Sequence, residues 1–181
     1  ATACGSTTKD NAEPIATDPF LRTWQRTDKP IADGSVTRTW MWGPAAFSAG
    51  MSEDYAESPG GKRTVQYFDK SRMEISNPDG DQSSPWYVTN GLLVVELVTG
   101  RMQVGNTTSI DRSPAQVNVA GDASDPNGPT YATFGPLRSL PPLADGALVT
   151  QRLSRDGTIT DDPLRLEYEG RRLFDRAREP A

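Results

Sequence analysis

The chain has 181 residues, 24 acidic and 19 basic, with no histidine and a net charge of −5. That balance offers no basic footprint for a phosphate backbone and argues against nucleic acid as a partner. Without histidine there is no Ser-His-Asp triad, Cys-His pair or His-rich zinc site, and a single cysteine excludes an internal disulfide or a Cys-x-x-Cys redox pair.

Ala1-Thr2-Ala3-Cys4-Gly5 resembles the end of a bacterial lipobox, which makes Cys4 a candidate for lipidation or for an intermolecular thiol. An initial Ala in place of Met fits a processed start. Residues 6–17 are small and polar, so 1–17 read as a tether or arm. Asp18-Pro19-Phe20 supplies an N-cap and a first-turn proline, and Phe20 and Trp24 lie four apart, which predicts a helix from about 19 to 27. No other stretch combines a cap, helical apolar spacing and freedom from Gly and Pro, so it is expected to be the one clear helix.

From Val36 the period becomes two. Val36, Arg38, Trp40 and Trp42 alternate with Thr37, Thr39 and Met41 and predict a strand closed by Gly43-Pro44. After an irregular stretch from Ala45 to Lys62, Arg63 to Asp69 and Arg72 to Ser76 predict a hairpin. Trp86-Tyr87-Val88 precedes an Asn90-Gly91 turn signal. Leu92 to Thr99 is apolar except at Glu96 and predicts a central strand, far short of the roughly 20 residues of a bilayer span. Gly100 turns it into Arg101 to Val104; Gln116 to Val119, Ala147 to Leu153 and Gly157 to Thr160 are further short strands.

These signals predict an all-β fold, a sandwich or barrel of mostly antiparallel strands with one short N-terminal helix. Residues 18–163 read as a single β domain, and 164–181 as a charged C-terminal segment.

The strings Arg38-Thr39-Trp40-Met41-Trp42-Gly43-Pro44, Gln66-Tyr67-Phe68-Asp69-Lys70-Ser71-Arg72-Met73-Glu74-Ile75 and Trp86-Tyr87-Val88-Thr89-Asn90-Gly91-Leu92-Leu93 carry a resemblance. From about Phe20 to Gln151 the chain is similar to a family of secreted or surface proteins, lipoprotein-like, of Chloroflexota-type bacteria. The resemblance implies an extracytoplasmic location and no known reaction. After about Arg152 the chain departs from longer members into its own charged segment.

Three sets of residues are candidates for function. Trp40 and Trp42, two apart on the expected strand, with Trp86 and Tyr87, form a candidate platform for stacking on sugar rings, against the alternative that they fill the core. Asp122, Asp125 and Asn127 concentrate oxygen ligands in a candidate calcium loop, against the alternative of Asx turns; Asp79-Gly80-Asp81 is a second, weaker one. Glu96, surrounded by apolar residues, is expected to be desolvated with a raised pKa, paired with Glu74 or Asp69 in a hydrolase or with Arg72 or Arg101 in an ion pair. No resident cofactor is expected beyond calcium at that loop.

The reading these features favour is a non-catalytic extracytoplasmic domain of the bacterial cell surface, secreted or lipid-anchored, binding surface components or copies of itself. The alternatives are a self-assembling filament or surface-layer subunit using its N-terminal arm, and a carbohydrate-binding module or carboxylate-dependent glycoside hydrolase.

Overall fold

Helix α1 (Asp18–Thr27) begins where Thr17 takes the Phe20 N–H on its side-chain oxygen at 3.4 Å, so the capping side chain is Thr17 and not Asp18. The computed structural model describes residues 12–69, 71–120 and 124–161. They fall into two compact units divided between Pro114 and Ala115, a division that lies inside the expected 18–163 domain. A one-turn helix α2 (Lys29–Ala32) follows α1, with Pro30 in its first turn, where a missing N–H costs nothing.

The first unit is organised by an antiparallel sheet of β1 (Met51–Asp54), β2 (Lys62–Tyr67), β3 (Arg72–Ile75) and β4 (Thr89–Asn90), in that order. The predicted hairpin is β2–β3, closed by Phe68 N–H donating to Ser71 O at 2.9 Å. Strand β1 lies in the stretch expected to be irregular; it is a short, mostly exposed edge whose alternation is too weak to read. Registers Val65↔Glu74 and Gln66↔Met73 give the sheet two unlike faces. Met73 and Ile75 join Phe20, Trp42, Ala46, Phe68 and Val88 in an apolar core. The opposite face carries Glu53, Arg63, Tyr67, Arg72 and Glu74.

Two expected strands of the first unit do not form. Leu93–Thr99 is a helix, α3, closed by Gly100 in the left-handed conformation (φ +70°), whose N–H donates to Glu96 O at 2.8 Å. A Cβ on Gly100 would lie 2.3 Å from Arg112 O, so glycine is required there. A short apolar run does not distinguish strand from helix by itself. Helix geometry turns Glu96 inward and leaves Leu92, Val94 and Val95 exposed. The expectation of mostly antiparallel strands holds and that of a single helix is corrected, α3 being a second one; among the described residues the strands form three separate sheets without closing a barrel.

The Val36–Trp42 run is likewise not a strand. Its last backbone donors, Met41, Trp42 and Gly43, give their N–H groups to the Asp28 carboxylate at 3.0, 2.6 and 3.0 Å. A buried side chain thereby satisfies what a neighbouring strand would otherwise have to accept. Residues 13–16 are held on the same unit: Glu13 bridges Ala46, and the buried Gln66 amide donates to Pro14 O and accepts from Ala16 N–H.

Strands β5 (Arg101–Gln103) and β6 (Ser109–Asp111) pair antiparallel in the first unit. In the second unit β7 (Gln151–Leu153) and β8 (Ile159–Asp161) form the expected hairpin. Around Gln116 to Val119 there is a single bridge, Asn118 to Thr130.

Candidate functional site

The ionic face of the sheet is covered by α3 and β5 and contains two arginines and three glutamates. Arg72 donates Nε to Glu74 Oε1 at 2.6 Å, Nη1 to Glu96 Oε2 at 2.7 Å and Nη2 to Glu96 Oε1 at 2.9 Å. Arg63 donates to Glu74 Oε2 at 3.0 Å, Glu53 Oε2 at 3.3 Å and the Gln103 carbonyl at 3.1 Å. Each guanidinium also lies over an aromatic ring, Arg63 over Tyr55 at 4.7 Å and Arg72 over Tyr67 at 5.4 Å. Arg63 Nε is buried and has no hydrogen-bond partner among the described residues.

The sequence expectation of a raised Glu96 pKa is overturned. Burial pushes the carboxyl up, but the Arg72 guanidinium and the Gln103 N–H hold it below the usual carboxylate value. Arg72 is shifted further into its charged form: burial lowers its pKa, and Glu96 and Glu74 raise it by more. Tyr67 is raised by burial and by its hydrogen bond to Glu53. Glu96 therefore forms the ion pair with Arg72 and is not a free acid.

Gly91 roofs this network. A Cβ there would lie 2.1 Å from Glu74 Oε1 and 3.0 Å from Arg72 Nε, so only glycine lets the backbone pass over the carboxylate. Beside it opens a cleft of about 590 Å³ whose lining includes Tyr55, Glu74, Asn77, Trp86, Tyr87 and Asn90. Trp86 is 81% exposed, and Tyr87 is oriented by donating its hydroxyl to Pro78 O at 3.0 Å. The cleft thus combines aromatic faces with amide and carboxylate groups, the mixture that recognises rings bearing hydroxyls.

The expected aromatic set is divided. Trp86 and Tyr87 share the cleft. Trp42 is 3% exposed and packs its ring on Phe68 at a centroid distance of 5.6 Å, so it is a core residue. Trp40 is 39% exposed but is not among the residues lining the cleft. The two tryptophans are separated because their segment wraps Asp28 in place of extending.

At the acidic loop of the second unit, Asp122 lies outside the described residues. Asn127 N–H donates to Asp125 Oδ1 at 2.9 Å, an Asx turn. A cation from the chain itself, Arg155 Nη1, donates to Asn118 Oδ1 at 2.8 Å, Gly128 O at 3.2 Å and Asp125 O at 3.3 Å. Among the described residues no three acidic or sulfur side chains gather as a metal-binding group. In the weaker loop, Asp81 accepts from Ser83 N–H and Oγ, which hold its carboxyl below the usual range. Cys4 lies outside the described residues.

The sequence reading missed Arg63 as a partner of Glu74, and the role of Gly91. The alternation of Arg63, Val65 and Tyr67 with Thr64 and Gln66 contained the signal for one charged face. Among the described residues, no helix is long and apolar enough to cross a membrane. No family model, curated protein or solved structure matches the chain.

Proposed function

We propose that the chain is a non-catalytic binding domain of the bacterial cell surface, extracytoplasmic and secreted or lipid-anchored, whose ligand is a polyhydroxylated ring held against Trp86 and Tyr87. The observation that carries this reading is the exposure of Trp86, 81%, beside a cleft of about 590 Å³ lined by Asn77, Asn90 and Glu74. A large indole left in water at the rim of a polar cleft has no folding role there, and its face is suited to stacking on the C–H face of a sugar.

The engagement of Glu74, one of the carboxylates lining the cleft, supports binding over hydrolysis. Glu74 accepts from Arg63 on Oε2 and from Arg72 on Oε1, so both oxygens are engaged, whereas a hydrolytic carboxylate needs one free to reach the glycosidic bond. The test is a glycan array followed by calorimetry on the best ligand. Loss of binding in Trp86→Ala with unchanged melting supports the reading. Turnover of a bound glycan that Glu74→Gln abolishes favours the hydrolase alternative.

A further inference from the structure

A second groove, of about 500 Å³, lies on the α1 side of the 82–88 segment. Pro19, Arg22, Thr23 and Arg26 of α1 line it, facing Ser84 and Tyr87. At 3.6 residues per turn those four helix positions fall within an arc of roughly 100°, so α1 presents one flank to the groove while Phe20 enters the core.

This flank carries two cations, Arg22 and Arg26. They stand one turn apart, where like charges repel. Both are exposed, and neither makes an ion pair among the described residues, although Asp18 lies one turn before Arg22. Among the described residues, no carboxylate lines the groove. Asp81, next in sequence to Gln82, takes the Ser83 hydroxyl and lines the first cleft instead. The Ser84 hydroxyl accepts from Trp86 N–H at 3.2 Å, which leaves its proton for a ligand.

We propose that this groove binds an oxyanion, a carboxylate or a phosphate ester, between the guanidinium groups of Arg22 and Arg26 and the Ser84 hydroxyl. Two guanidinium forks at one-turn spacing offer paired N–H donors to such a group. The groove shares Ser84 and Tyr87 with the Trp86 cleft, so a ligand carrying both a sugar ring and an anionic substituent has adjoining places for each. The oxyanion site itself does not depend on the sugar reading.

The test is a nuclear magnetic resonance titration of the full chain with inorganic phosphate, with a uronic acid and with the matching neutral sugar. Phosphate or the uronic acid is expected to move the Arg22 and Arg26 Nε–H signals and the Ser84 amide; which of them binds more tightly tells phosphate ester from carboxylate. The neutral sugar leaves the arginine signals in place, and any shift it causes at Trp86 reads the first cleft separately. The doubly substituted chain, Arg22→Gln with Arg26→Gln, is expected to lose at least about tenfold in affinity. Arg101→Gln with Arg112→Gln, an equal loss of two positive charges on exposed cations elsewhere in the unit, is expected to lose less than about twofold. Unmoved arginine signals at about 50 mM of both anions, or equal losses in the Arg101 and Arg112 double variant, would overturn the proposal.

Discussion

Arg72 and Glu96 meet side-on, with Nη1 to Oε2 at 2.7 Å and Nη2 to Oε1 at 2.9 Å. The contact fastens α3 to the sheet, and it explains why a seven-residue helix, too short to persist alone, forms from an apolar run. Glu96→Gln leaves the buried Arg72 with a weaker partner and is expected to cost about 3 kcal/mol, measured by urea unfolding. A loss under about 0.5 kcal/mol would contradict the role given to this pair.

The same pair sets an acid dependence. The folded Glu96 pKa is below its ordinary value of 4.5, so its stabilisation is complete above that value and is lost as pH falls through the lower folded one. Melting temperature is expected to be flat in this respect above pH 5 and to fall below about 4.5, with a shallower fall in Glu96→Gln. An identical acid limb in both proteins would show that other carboxylates set it.

Gly91→Ala places a methyl group where Glu74 Oε1 now lies, 2.1 Å away. Overpacking of this kind is expected to cost about 1–3 kcal/mol and to displace Glu74 from Arg72. Chemical denaturation reads the first effect, and a crystal structure of the variant the second.

The two aromatic residues Trp42 and Trp86 are expected to separate stability from binding. Trp42→Ala empties a core site and costs about 3–5 kcal/mol, whereas Trp86→Ala stays within about 0.5 kcal/mol of the parent. Calorimetric unfolding of both decides this without knowledge of the ligand.

Calcium at millimolar concentration, or a chelator, is expected to leave the melting temperature unchanged, because Arg155 already supplies positive charge to Asn118 Oδ1 and to the carbonyls of Asp125 and Gly128. A rise of several degrees with calcium would show a site that Arg155 does not fill.

The sequence by itself determined the local features whose causes lie within a few residues. The α1 start follows from its first-turn proline, and the β2–β3 and β7–β8 hairpins from alternation and turn residues. It also brought Glu96 and Arg72 together as candidates, because a carboxylate amid apolar neighbours needs a buried cation. Tertiary structure decided what depended on distant partners. Asp28 draws in three backbone N–H groups from residues 41–43 and removes the Trp40–Trp42 strand, leaving one indole in the core and the other outside. Arg72 turns an apolar run into α3 by pulling one carboxylate inward, which reverses the direction expected for its pKa. Periodicity records which face of an element is apolar; it does not record which side chain from elsewhere will satisfy a backbone donor or a buried charge.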